Sequence, residues 1–235
     1  RDLNLIIQSF YGDNMKSIIL FFISLFIINT SYAGVIISGT RVIYNEGNKN
    51  VSINVKNPDK MPYLIQSWID DFEEKKQSKF TITPPLFRLN PDKENTLRIF
   101  LTEEGLPSDQ ESLFWLNIKT IPATEKTENS LQIAFKTQMK LIYRPKSLKD
   151  VNFEEEQKKL SWSKERGKVI VYNPTPYFMN FQTIKFNGKL VDDVSYAKPF
   201  STKSFDINDN NEHGLISWEL INDYGANVDL SEVRI

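Results

Sequence analysis

Two basic residues in strand-like contexts carry the most specific chemistry in this chain. Arg41 stands between Val35-Ile36-Ile37-Ser38-Gly39-Thr40 and Val42-Ile43-Tyr44, and Lys140 stands between Met139 and Leu141. On neighbouring strands, a guanidinium and an ammonium together hold one carboxylate, each charge-assisted bond contributing about 1.5–3 kcal/mol. Taken singly, each residue is more often a solvated strand charge, so the pairing has to come from the fold. Other chemistries are poorly supplied. Cysteine is absent, which removes disulfides, thiolate metal sites and cysteine nucleophiles together. The single histidine, His213, lies in Asn208-Asp209-Asn210-Asn211-Glu212-His213-Gly214, which reads as an exposed turn rather than part of a Ser-His-Asp set. Asp70, Asp71, Glu73 and Glu74 offer carboxylates for a glycosidase pair, but Lys75 and Lys76 beside them mark a solvated loop. No glycine-rich phosphate loop, zinc-ligand spacing or nucleophile elbow occurs. The expectation is a non-enzymatic protein without a cofactor or metal.

Composition agrees. Lys and Arg number 29 against 30 Asp and Glu, so the basic excess of a nucleic-acid binder is missing. With 40% hydrophobic and 25% charged residues, the chain describes an ordinary folded protein.

The elements that must position the two cations read as strands. Apolar and polar residues alternate in Val51–Val55, Tyr63–Ile69, Phe80–Thr83, Thr96–Leu101 and Leu113–Ile118, with turn formers between them. Asp70-Asp71 is expected to end the second of these. Short strands at near-regular spacing indicate β-sandwiches. Leu131, Ile133, Phe135, Thr137, Met139, Leu141 and Tyr143 fall on one face of a single long strand that Pro145 ends. At about 3.3 Å per residue, such a strand spans roughly 43 Å and overruns an ordinary sandwich. Lys146–Gly167 is polar and reads as a linker, with Glu154–Lys159 as either a helix or a polar loop. A β pattern restarts at Val169–Tyr172.

From Met15 to Ala33 the chain matches a secretory leader, and residues 1–14 read as lying upstream of its start. Lys16 precedes an apolar run, Ile18–Ile28, about half the roughly 20 residues a membrane span needs, and Ser31 and Ala33 suit cleavage after Ala33. Residues 1–33 are therefore expected to be removed, leaving a mature chain with no membrane insertion. Without cysteine, the exported product depends on a hydrophobic core, and its length suits two domains of roughly 100 residues or one all-β domain of about 200.

Several separated stretches resemble the periplasmic pilus-assembly chaperones of the chaperone–usher pathway, the PapD-like family. They are Gly39–Tyr44, Pro62–Trp68, Thr83–Leu89, Glu111–Ile118, Leu131–Ala134, Lys140–Pro145, Asn173–Tyr177 and Ile221–Gly225, all in the family's order. The resemblance implies an all-β fold of two immunoglobulin-like β-sandwich domains in a boomerang, residues 34–146 and 147–235. It implies that Arg41 and Lys140 bind the C-terminal carboxylate of a pilus subunit. Leu131, Ile133 and Phe135 would enter the groove of the incomplete subunit, which is donor-strand complementation. Glu111, Arg144 and Asp223 would form an interdomain charge cluster. The short segment Pro122–Ser130 resembles the short-loop subclass that serves rod-like pili. Partners implied are pilus subunits and an outer-membrane usher, in the periplasm. The alternative is a secreted Ig-like adhesin or structural pilus component. An exposed apolar strand also raises self-association of the free chain as an expectation.

Overall fold

The computed structural model describes residues 34–71, 78–123, 131–209, 211 and 213–235. Among these residues seventeen strands, numbered in chain order, build two β-sandwiches. The first contains β1 (Ile36–Ile37), β2 (Arg41–Asn45), β3 (Val51–Lys56), β4 (Tyr63–Asp71), β5 (Phe80–Thr83), β6 (Leu86–Leu89), β7 (Glu94–Leu101), β8 (Ser112–Pro122) and β9 (Phe135–Arg144). The second contains β10 (Ser161–Glu165), β11 (Lys168–Asn173), β12 (Met179–Phe186), β13 (Lys189–Leu190), β14 (Tyr196–Ala197), β15 (Ser201–Asp206), β16 (Leu215–Leu220) and β17 (Ser231–Arg234).

In the first sandwich a sheet of order β1-β3-β7-β5 faces one of order β2-β9-β8-β4-β6. The alternating inward residues of both sheets, among them Val55, Ile65, Leu97, Ile99, Leu116, Ile118 and Leu141, close one core. The second sandwich packs β10-β11-β15 against β13-β12-β16-β17 around Trp162, Val169, Val171, Met179, Ile184, Ile216 and Leu220. Outward-facing positions along β3 and β5 are exposed at every second residue, as a period of two requires.

The chain changes sheets between β1 and β2, and this crossing positions the site. β1 pairs with β3 in one sheet. Gly39, at φ +82°, takes the chain across in a conformation that favours glycine, and β2 then pairs with β9 in the other sheet.

Three expectations need correction. The long strand does not begin at Leu131: its ladder with β8 starts at Phe135 opposite Thr120, and Leu131–Ala134 lie outside any strand. The partner strand β8 ends at Pro122, which has no N–H to donate, so extended sequence alone makes no ladder. The strand Tyr63–Ile69 runs on through Asp71, because β8 continues opposite as far as Phe114. Lys146–Gly167 is not a free linker. A helix α1 (Phe153–Glu156) begins at Asn152, whose side chain accepts from the Glu154 N–H at 3.0 Å. A 3-10 turn and β10 follow, and Leu160 and Trp162 enter the second core. The polar majority of the segment masked those two anchors. The leader, Glu73, Glu74 and most of the Pro122–Ser130 loop lie outside the described residues.

Candidate functional site

β9 is central in its sheet for only half its length. On one side it pairs with β8 from Phe135 to Tyr143. On the other it pairs in parallel with β2, but only from Lys140 to Arg144, starting with Arg41 opposite Lys140. No strand among the described residues pairs with this second side of Phe135–Met139. Unpaired backbone donors and acceptors along such an edge accept another strand.

Side chains along the same stretch are equally unsatisfied. Met139, Leu141 and Tyr143 enter the core, yet Leu131, Ile133 and Phe135, which continue that face, are 86%, 53% and 64% exposed. The apolar stripe therefore runs beyond the end of the sandwich that would cover it. An exposed stripe of this kind beside an open edge marks an interaction surface.

The open edge ends at the two cations. Arg41 and Lys140 are cross-strand neighbours at the first rung of the β2–β9 ladder. The second sandwich meets them there. Arg41 donates through Nη1 to the Ile221 carbonyl at 3.2 Å, while its Nε is buried without a partner among the described residues. Lys140 donates to Asn180 Oδ1 at 2.5 Å and stands 4.6 Å from the centre of the Tyr196 ring. Burial holds the Arg41 guanidinium below its usual range, with Asp223 and Glu111 opposing. Burial, then the Arg41 charge, pushes the Lys140 ammonium down to about 8. Two desolvated cations with no carboxylate paired to them among the described residues can together hold an anion.

A pH dependence follows. A carboxylate ligand favours charged Lys140, so affinity stays flat below about pH 7 and falls as pH rises through about 8, by up to about tenfold per unit. Calorimetric titration of a carboxylate-terminated peptide from pH 6 to 10 checks this, and Lys140→Arg should flatten the profile. The free chain behaves oppositely. Its Lys140 releases the proton earlier than the unfolded chain does, so folding stability gains from this group as pH rises from about 8 towards 10.5.

Behind the cations, Glu111, Arg144 and Asp223 do come together. Arg144 Nε donates to Glu111 at 2.7 Å, and its two terminal nitrogens donate to the Asp223 carboxylate at 2.5 and 2.8 Å. The other Glu111 oxygen accepts the Phe178 N–H at 2.7 Å. Burial pushes the Glu111 carboxyl up, while Arg144 and the Phe178 N–H act to keep it charged. Leu113, Ile142 and Phe178 close a small apolar cluster beside this network, flanked by Ile43, Trp115 and Tyr196. Gly225 lies so close to Thr40 that an added Cβ would fall 2.5 Å from the hydroxyl oxygen.

Sequence reasoning missed Asn180, Tyr196 and the Ile221 carbonyl. Asn180 alone carried a signal, as the one amide in the apolar run Tyr177-Phe178-Met179-Asn180-Phe181. The carboxylates and the histidine set aside in the sequence lie elsewhere. Asp70 Oδ2 accepts from Trp68 Nε1 at 3.2 Å and from Asn117 Nδ2 at 2.9 Å. His213 is exposed, in a bend.

The fold and this site define a class: a two-sandwich, immunoglobulin-like protein that presents an unpaired strand edge. Comparison with known proteins places the chain within it. Residues 34–149 match the family described as pili and flagellar-assembly chaperone, PapD N-terminal domain. Residues 155–232 match pili assembly chaperone PapD, C-terminal domain. The chain belongs to the PapD-like family of pilus-assembly chaperones. It is 44% identical over 210 residues to the chaperone protein FocC of Escherichia coli, spanning 87% of this chain and 92% of that protein. The crystal structure of the periplasmic chaperone SfaE superposes with a TM-score of 0.74 at 40% identity, over 85% of this chain and 98% of that one. A chain from the complex of Salmonella enterica SafA pilin with the SafB chaperone gives 0.80 at 30% identity, over 88% and 99%.

Proposed function

We propose that this chain is a periplasmic chaperone that captures pilus subunits by lending them a strand. The observation that carries this reading is the coincidence of an open edge, an exposed apolar stripe and a paired cationic anchor on one strand. A subunit lacking one strand exposes its own core and unpaired backbone, and both promote aggregation. Leu131, Ile133 and Phe135 fill that groove while the Phe135–Met139 backbone completes the subunit's ladder. Three such side chains contribute about 5–9 kcal/mol before ordering costs.

Arg41 and Lys140 take the subunit's C-terminal carboxylate, which fixes the direction of the added strand. The anchor lies at the C-terminal end of the open stretch. A subunit strand whose last residue is held there must run parallel to β9. The anchor also fixes register, because a slip of one residue turns all three apolar side chains away. Glu111, Arg144 and Asp223 hold the two domains, 34–146 and 147–235, at one mutual orientation. Delivery is to an outer-membrane usher, and release is by strand exchange with the next subunit. The adhesin alternative is not favoured: the FocC-type relatives are chaperones.

Periplasmic co-expression with the subunits encoded nearby tests this. Wild type should yield a soluble 1:1 complex, and Arg41→Ala and Lys140→Ala should each lose it. Equal protection of subunits by both variants would refute the anchor assignment.

A further inference from the structure

We propose that Asn180, on the second sandwich, is a positioning residue for Lys140, so that the carboxylate anchor is built by both domains. This deepens the reading above and rests on it. Lys140 has only donors to offer, and the Phe178 carbonyl is only an acceptor. Asn180 satisfies both at once. Its Oδ1 accepts from Lys140 at 2.5 Å, and its Nδ2 donates to the Phe178 carbonyl at 3.1 Å. These two bonds fix which way the amide points, and the side chain is buried, so that orientation is held. Tyr196, which pairs with Asn180 across β12 and β14, places its ring 4.6 Å from the same ammonium.

The need for such support is physical. The charged groups facing Lys140 are Arg41 from β2, which repels it, and beyond Arg41 the Glu111–Arg144–Asp223 network, whose carboxylates are already engaged by Arg144. Tyr196 contributes its ring face. In the free protein Asn180 is therefore the neutral acceptor that keeps a desolvated ammonium charged and aimed at the end of the open edge. The same backbone stretch serves both networks. Phe178 gives its N–H to Glu111 and its carbonyl to Asn180. The interdomain charge cluster and the anchor are thus adjacent rungs of one hydrogen-bonded chain, and a change in domain orientation would move Asn180 off Lys140.

The test uses the full mature chain with lysine side chains labelled for NMR, the Lys140 signal being assigned by its loss in Lys140→Met. The probe is a synthetic peptide of the last residues of a co-encoded pilus subunit, with a free or an amidated C-terminus. Asn180→Leu should lower the Lys140 titration midpoint by about one unit or more and weaken the free-acid peptide at least about tenfold at pH 8. Asn180→Asp should raise the midpoint. Opposite shifts from two substitutions at one position do not arise from a general loss of structure, and thermal unfolding of both variants checks that they fold. An unchanged midpoint in both folded variants, with Lys140→Met still unable to bind, would overturn the positioning role alone. Wild-type-like binding by Lys140→Met would remove the anchor reading and the positioning role with it.

Discussion

Ile133→Asp is expected to abolish subunit capture, by more than about a hundredfold in affinity, while the free chain folds as before. The two halves of that result have separate causes. Ile133 is 53% exposed, lies outside any strand and belongs to neither core, so in the free protein the substitution removes little packing. Substitutions at such positions change stability by no more than about 0.5 kcal/mol. In the complex the same position would be sealed in a subunit's groove, where a carboxylate without a partner is costly enough to outweigh the burial it replaces. Leu131→Asp should behave alike. Phe135 opens the β8–β9 ladder, so a substitution there mixes capture with folding. Thermal unfolding of the free variants, together with recovery of soluble subunit on co-expression, checks both halves. Undiminished capture by Ile133→Asp would remove the strand-lending mechanism.

Arg144→Ala is expected to cost about 3–5 kcal/mol of folding stability, the usual penalty for removing one partner of a buried ion pair. Glu111 is only 2% exposed, and Arg144 neutralises it at 2.7 Å. Asp223, by contrast, has a side chain 23% exposed and falls back on solvent. Most of the loss therefore belongs to Glu111, and Glu111→Gln in the Arg144→Ala background should recover part of it. The pH dependence has a definite sign. Without Arg144, burial drives the Glu111 carboxyl still higher, so the folded chain takes up a proton that the unfolded chain has released. The deficit is smallest near pH 4.5 and grows as pH rises through neutrality. Urea unfolding at pH 5 and pH 7.5 measures it. A constant deficit at both values would show that lost packing against Phe153 and Tyr177, whose rings flank the guanidinium, dominates instead.

The sheets themselves were legible along the chain wherever one face is buried and the other solvated. β3, β5 and β7 alternate as a half-buried strand must, and their boundaries fall within a few residues of the pattern. β9 was legible as an amphipathic strand, and Arg41 and Lys140 as cations in strand contexts. Ile142 shows where the pattern misleads. It breaks the alternation because β9 is buried on both faces there, one in the first core and the other against Phe178. Periodicity cannot tell that situation from a loop boundary. The segment 146–167 failed for a related reason: its charges outnumber its anchors, yet Leu160 and Trp162 alone commit it to the second core.

By itself, then, the sequence determined the all-β class, the absence of thiol chemistry and the residue types from which a carboxylate anchor can be made. Those are local properties, carried by alternation, composition and turn residues. Only the tertiary structure decided that Leu131, Ile133 and Phe135 are exposed while Met139, Leu141 and Tyr143, on the same face, are buried. The apolar stripe runs beyond the end of the core that covers it, and β2 joins β9 only at Lys140, which leaves one edge open and sets Arg41 beside Lys140 at its end. It also decided that Asn180, from the other domain, meets that lysine. Desolvation and pairing depend on what arrives from distant parts of the chain, and no local pattern records it.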